Sequence, residues 1–398
     1  MDAKNKKTLW ILIAGNLLIC LGIGLVIPVT PFIKNYYHYS TTQMGIMTSL
    51  FAFSQFIASP LVGRLSDRIG RKPLIVAGLF LYAVSEVIFA LSNSLIWFNV
   101  SRVIGGLSAA LFVPTSMALA ADVTTPAQRA RVIGWISAAF SGGLILGPGI
   151  GGVLANISYK TPFWAAAALG LISTIFTYAV MPKMEVIREI AHEEHDDEPQ
   201  AVKKTGALRD VLTAPLIILF TMIFAAAFGL QGFESIYSIY VNQVFNFGLG
   251  TIALVLTFNG IFSLILQVFI FDWLVRKMGE VNLIGACFLI GAIFVFWITQ
   301  AHTQIEVIIA TLVVFSAFDI LRPAITTLLT KEGKNNQGLI NGLNMSLTSV
   351  GNVIGPILAG MLMDYNTHIP YLLVALILFI SYGITFAVKR VMKHEAQY

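Results

Sequence analysis

The chain has 398 residues, of which 57% are hydrophobic and only 11% charged, with a formal net charge of +5. A soluble domain carries about 25% charged residues and about 45–50% apolar ones even with glycine counted. A soluble fold would have to expose the surplus, and disorder and nucleic-acid-binding modules are excluded on the same ground, which leaves a polytopic membrane protein.

In chain order, twelve stretches reach the roughly 20 mostly apolar residues that a membrane span needs: 9–33, 42–63, 73–92, 95–121, 132–156, 162–182, 213–241, 248–271, 281–300, 305–330, 338–363 and 370–389. Runs of this length predict helices, not the roughly 10-residue alternating strands of a barrel, so the expected fold is all-α. The first run is too long for a signal-peptide core and lacks a small-residue cleavage site, and it is expected to remain as the first span. Lys4, Lys6 and Lys7 precede it. Most other basic residues sit in alternate gaps, Arg64–Lys72, Arg129–Arg131, Lys183–Arg209, Arg276–Lys277, Lys331–Lys334 and Lys389–Lys393, whereas the intervening gaps hold only Lys34 and Lys160. This bias predicts cytoplasmic basic gaps and cytoplasmic termini, and explains the positive net charge without an anionic ligand. Cys20 and Cys287 lie inside apolar runs and read as small buried hydrophobes.

Between the sixth and seventh stretches lies the one long polar segment, Lys183–Asp210, with Glu193, Glu194, Asp196, Asp197 and Glu198. His192 and His195 lack the spacing that puts two histidines on one helical face, so the segment reads as a solvated cytoplasmic linker, not a metal site. It separates an N-terminal six-helix half, 1–182, from a C-terminal half, 213–398, with 183–212 as the connection. The halves repeat. Gly143-Leu-Ile-Leu-Gly147-Pro148-Gly-Ile-Gly151-Gly152 recurs 208 positions on as Gly351-Asn-Val-Ile-Gly355-Pro356-Ile-Leu-Ala359-Gly360, and the same shift carries Gly134 to Gly342 and Pro162 to Pro370. Six plus six spans in parallel repeat is the plan of major facilitator transporters, with sites near the membrane midplane between halves.

The gap after the second stretch holds Gly63-Arg64-Leu65-Ser66-Asp67-Arg68-Ile69-Gly70-Arg71-Lys72. Its glycines permit a tight reversal, and its Asp and Arg can exchange charge-assisted hydrogen bonds with helix ends. The string matches the major facilitator loop motif, and a gating set of Gly63, Asp67, Arg68, Gly70 and Arg71 is expected, with Asp122 as partner of Arg68 or Arg71. Charge bias alone would make the same residues a topology signal. The second-half equivalent, Asp272 to Glu280, keeps chiefly Gly279, Arg276 and Lys277. In the fifth span, Gly143, Gly147 and Gly151 share a helix face where a neighbouring backbone approaches closely, and Pro148 permits a bend. With Gly152 they complete a string similar to the one that marks drug–proton antiporters; tight packing alone is the simpler reading of the glycine spacing.

Away from the span ends, where Glu306 and Lys389 stand, the charged residues inside the spans are Glu86, Arg102, Glu234, Asp319 and Arg322. A central Asp, Arg or Lys costs roughly 2.5–3.5 kcal/mol on the insertion scale, so such groups face a cavity or one another. All six histidines fall outside the spans, which leaves the acids to move protons. Asp319 and Arg322 share a helix face as a coupling site or a static ion pair. Glu234 has no basic residue in its own span and is readier to hold a proton. Glu86 and Arg102 stand near the outer end of one helical hairpin, where a simple pair across it and a functional role for Glu86 are equally open readings.

The chain resembles the twelve-helix drug–proton antiporters of the major facilitator superfamily, most closely the NorA-type quinolone and multidrug efflux pumps. The likeness is carried by Leu21–Pro31, Phe51–Pro60, Ser101–Gly106, Gly147–Gly152, Phe233–Tyr240, Phe318–Thr326 and Gly351–Pro356. It implies that Glu234 and Asp319 couple protons, and that Phe51, Gln55, Arg102, Tyr237, Phe315, Phe318, Arg322 and Asn352 contribute to drug binding. Cys20 and Leu144 stand where aromatic residues are expected, and smaller side chains there would enlarge the pocket. The implied function is export of amphipathic drugs, quinolones and cationic dyes, in exchange for protons across the cell membrane, by a monomer in the lipid bilayer without cofactor, metal or nucleic acid. The rival readings are proton-coupled export or import of an endogenous lipid, sugar or metabolite and, more remotely, a polytopic membrane enzyme.

Overall fold

Long runs of Leu, Ile, Phe, Val and Ala fold into helices that the computed structural model describes over residues 3–181, 213–332 and 337–395. These are α1 (Ala3–Tyr37), α2 (Thr41–Ile69), α3 (Arg71–Leu91), α4 (Leu95–Asp122), α5 (Pro126–Ala155), α6 (Thr161–Val180), α7 (Ala214–Phe245), α8 (Leu249–Met278), α9 (Glu280–Gln300), α10 (Gln304–Glu332), α11 (Gln337–Tyr365) and α12 (Ile369–Glu395). Among the described residues twelve helices are long and apolar enough to cross a membrane, and none of the described residues is in a strand. The twelve expected spans map one to one onto them. The helices run past the hydropathy limits because backbone hydrogen bonding continues through polar flanks: α1 starts at Ala3, and α11 includes Asp364. The expected linker, 183–212, lies outside the described residues.

Among the described residues there are two compact units. One draws on Met1–His38, Leu50–Ala201 and Leu249–Thr257, the other on Tyr39–Ser49, Val202–Gly248 and Phe258–Tyr398. The first turns of α2 therefore belong to the second unit, and the first turns of α8 to the first.

In the first unit, α1 lies along α5 at backbone contact. A Cβ at Gly147 would stand 2.7 Å from the Gly24 Cα and 2.8 Å from the Leu21 carbonyl, and one at Gly151 would stand 2.9 Å from the Leu25 carbonyl. In the second unit, α11 meets α7 through the corresponding glycines: Gly351 against Ala227 and Phe228, Gly355 against Gly232. Gly24 and Gly232 are themselves 208 apart, so the repeat read in the sequence is a repeat of contacts. Lipid tails are as apolar as Leu, so close packing and interhelical hydrogen bonds hold the helices together instead of the hydrophobic effect. Asn16 of α1 donates to Ser116 of α4 at 2.9 Å, Ser108 of α4 to the Gly78 carbonyl of α3 at 2.8 Å, and Ser85 of α3 to the Ser101 carbonyl at 3.0 Å.

Cys20 is fully buried, with its Cβ 2.7 Å from where a Gly143 Cβ would lie. Its small size therefore serves the α1–α5 approach, whereas the sequence reading gave it to the pocket. Gly143→Ala and Gly147→Ala are expected to lose about 1–3 kcal/mol by overpacking. Gly134→Ala, with open space at its Cβ, is expected to be neutral or to gain up to about 1 kcal/mol of helix propensity. Thermal unfolding of the purified variants in detergent measures the contrast.

Candidate functional site

The polar centre of the second unit is built on α7 and α10. Glu234 is half-buried on α7, where Gln231, one turn earlier, donates to its Oε2 at 3.4 Å. Its charged neighbours are Asp319 and Arg322 of α10. Asp319 is half-buried, with Arg322 and the Ser263 hydroxyl of α8 as its polar neighbours; α8 takes a π-helical turn at Leu266–Ile270, which begins three residues after Ser263. Arg322 is exposed. Among the described residues, none of these three charged groups belongs to an ion pair within 4.0 Å. The geometry brings together two acids and one base from separate stretches of sequence, with neutral polar partners in Gln231 and Ser263 and, among the described residues, no ion pair closed between them.

Aromatic side chains back this centre. Phe315 meets Phe233 and Tyr237 edge to face, with centroids 5.4 and 5.9 Å apart. Phe318 packs on Gly229 of α7. Phe315, Phe318 and Tyr237 are all buried, with the Tyr237 hydroxyl beside Thr311. They shape the centre from behind, and Asn352 stands half-buried on α11. His368, outside the spans, shares a 2.8 Å hydrogen bond with the buried Tyr240. Gln231, Ser263 and Thr311 were absent from the sequence reading, and Phe233 entered it only as the start of the segment Phe233–Tyr240. A polar side chain at i−3 from Glu234 pointed to Gln231; the contact of Ser263 depends on how α8 lies against α10, which no local pattern encodes.

The first unit arranges its charges differently. Arg102 of α4 and Glu86 of α3 are 3.5 Å apart, each under a tenth exposed. The guanidinium also reaches the Ser101 hydroxyl at 3.3 Å and lies 4.5 Å over the Phe89 ring. Glu86 Oε2, Arg102 Nε and the Tyr82 hydroxyl are buried without hydrogen-bond partners. Arg102 is thus engaged in joining α3 to α4. Phe51 is half-buried with its ring against Gly105, and Gln55 is half-buried one turn further along α2.

At the junction of α2 and α3, Gly70 takes φ 96°, a conformation only glycine adopts without strain. Arg71 Nε lies 3.1 Å from Asp122 Oδ2, and the same guanidinium bonds Ser66. Arg68 is exposed, Gly63 has open space around it, and the side chain of Asp67 lies outside the described part. The second half repeats this junction at a shift of 209. Gly279 takes φ 74°, and Glu280 pairs with Lys331, which stand where Arg71 and Asp122 stand in the first half. The pair survives with its charges exchanged, so a search for the first-half residues sees only a degraded motif. Among the described residues no three His, Cys, Asp or Glu side chains are grouped as a metal site requires.

The sequence model of the Major Facilitator Superfamily matches residues 12–333 and 219–397, and the chain belongs to that superfamily of membrane transporters. It is 40% identical over 392 residues to multidrug resistance protein 1 of Bacillus subtilis, covering 98% of each chain. It is 35% identical over 367 residues to the quinolone resistance protein NorA of Staphylococcus aureus, covering 92% of each. The fold matches a bacterial homologue of the human lysosomal transporter Spinster in an inward-facing, occupied conformation, with a TM-score of 0.79 at 16% identity over 98% of both chains. It also matches the nucleoside transporter NupG, with a TM-score of 0.74 at 13% identity over 97% and 99%. At such identities the likeness is one of fold.

Removing one member of a buried ion pair leaves the other charge uncompensated, at a cost of about 3–5 kcal/mol, whereas replacing both with apolar residues is often near neutral. Glu86→Ala is therefore expected to destabilise strongly and Glu86→Leu with Arg102→Met to recover most of the loss. Lys331→Gln, at a partly exposed pair, is expected to cost at most about 1 kcal/mol. Thermal or denaturant unfolding in detergent reads the three.

Proposed function

We propose that the chain is a secondary active transporter that exports amphipathic drugs, among them quinolones and cationic dyes, in exchange for protons. The observation that carries the reading is the grouping of Glu234, Asp319 and Arg322 on α7 and α10 with no ion pair closed among them. A closed pair is a structural fixture. Two acids beside one base, half-buried and backed by Phe315 and Tyr237, make a site that exchanges a proton for an organic cation. The names of the relatives in Bacillus and Staphylococcus support the drug as cargo.

In this reading the termini and the Arg71–Asp122 junction are cytoplasmic, and residues 1–182 and 213–398 act as two halves joined by 183–212. The single chain works without cofactor and catalyses no covalent step. A proton arriving from outside neutralises Glu234, with Asp319 as second acceptor, and weakens the hold on a cationic or zwitterionic drug. The drug leaves outward; the protonated carrier turns inward and releases its proton to the cytoplasm. Phe51, Gln55, Arg322 and Asn352 line the drug's path. Arg71, Asp122 and the glycines of α5 serve the change of state. Exchange of two protons for one monovalent cation leaves one net inward charge, worth about 2.3 kcal/mol per 100 mV of membrane potential.

Dye efflux from energised cells tests this. A protonophore is expected to abolish accumulated export. Glu234→Gln with Asp319→Asn is expected to lower the steady-state dye gradient by more than about tenfold, the equivalent of about one charge crossing that field. Efflux that survives the protonophore, or full activity in the double variant, rejects the coupling.

A further inference from the structure

Asp364 closes α11 and fastens the start of α2. Its Oδ1 accepts the Thr41 N–H at 2.7 Å; its Oδ2 accepts the Thr42 N–H at 2.7 Å and the Thr42 hydroxyl at 2.6 Å. These amides open the helix and have no partner within it, and a carboxylate there also meets the positive end of the helix dipole. The Ser40 N–H donates to Gln43 Oε1 at 2.9 Å and the Gln43 N–H to Ser40 Oγ at 3.1 Å, so the α2 N-terminus is capped locally as well as from α11. Along the next two turns the backbones touch. A Cβ at Gly360 would stand 2.6 Å from the Thr41 carbonyl, one at Gly45 would meet the Pro356 carbonyl, and the Ser49 hydroxyl donates to the Val353 carbonyl at 2.7 Å.

Residues 41–49 thus belong to the second unit, while α2 from Leu50 onward belongs to the first. The helix is continuous through this division. Movement of one unit against the other must therefore part 41–49 from α11 or bend α2, and most of the polar strength of the contact resides in the one carboxylate.

The repeat provides an internal comparison. The 208-residue shift carries Thr41 to Leu249, Gly45 to Ala253 and Gly360 back to Gly152. The first turns of α8 lie on α5 in the same manner, Ala253 against Gly152 and Thr257 against Gly149. The α8 N-terminus, however, has no side-chain cap, and Asn156 stands where Asp364 stands in the second half. Of two equivalent contacts only one is fastened by a charge.

We infer that Asp364 is a gating residue of the transport reaction: it holds the start of α2 on the end of α11 and must release it in each cycle. The inference rests on the transporter reading above, in which this end faces outward, opposite the Arg71–Asp122 junction.

Two measurements on the full chain in lipid nanodiscs and in cells test it. By hydrogen exchange, Asp364→Asn is expected to speed exchange of peptides covering 41–49 by about tenfold, as loss of charge-assisted bonds predicts. Peptides covering 249–257 are expected to be unchanged, and Asp364→Glu to restore much of the protection. Unchanged exchange at 41–49, or a rise spread over all of α7 to α12, overturns the latch. In the second measurement, Ser49→Cys and Val353→Cys are joined through two disulfides by a short bis-methanethiosulfonate reagent, cleavable by reductant, with Asp364 intact and the native Cys20 and Cys287 replaced by alanine. Dye efflux is expected to stop on linkage and return on cleavage. Failure to link, or undiminished efflux from the linked protein, overturns the proposal. Absence of efflux from the wild-type chain overturns the transporter reading instead, and the exchange result still decides the contact.

Discussion

The cost of an ionised group in hydrocarbon orders this molecule. Five charges sit deep in the spans, and the fold resolves them in two ways. Glu86 and Arg102 are brought into contact across the α3–α4 hairpin, buried, and covered by Phe89. Glu234, Asp319 and Arg322 are brought near one another but not into contact. The first arrangement satisfies its charges within the protein and joins two helices. The second, among the described residues, closes no ion pair, and the proposed proton exchange rests on that difference.

The scaffold around these charges is symmetric, and the chemistry is not. Gly143 and Gly147 place α5 on α1 as Gly351 and Gly355 place α11 on α7. The junction glycines Gly70 and Gly279 share their positive φ, and each junction is tied by an ion pair. The same shift carries Glu234 back to Val26, Asp319 to Leu111 and Arg322 to Pro114. Duplication thus explains the packing of both halves, while the three charges of the proposed exchange site occur in the second half without counterparts in the first. Asp364, with Asn156 as its counterpart, shows the same departure from symmetry at the end of the bundle.

The helices were legible because a span is a composition over about 20 residues, and the repeat because glycine has no substitute where backbones touch. The five charges deep in the spans were legible for a related reason: they are rare and costly wherever they occur. Other features depend on which helices meet. Cys20 faces Gly143, and its size reflects helix approach, which no local pattern shows. Glu280 and Lys331 form the second-half junction pair with polarity reversed, so a search by residue type passes over them. Asp364 falls one residue beyond the apolar stretch ending at 363, and only the structure shows its bonds to Thr41 and Thr42.

The central claim is that drug and proton compete for the Glu234–Asp319 site. The most direct measurement adds a cationic drug to the purified transporter in weakly buffered solution and follows pH with an indicator dye. The account predicts proton release that saturates with drug binding and is lost in Glu234→Gln with Asp319→Asn. Drug binding without proton release, or the same release from the double variant, contradicts it.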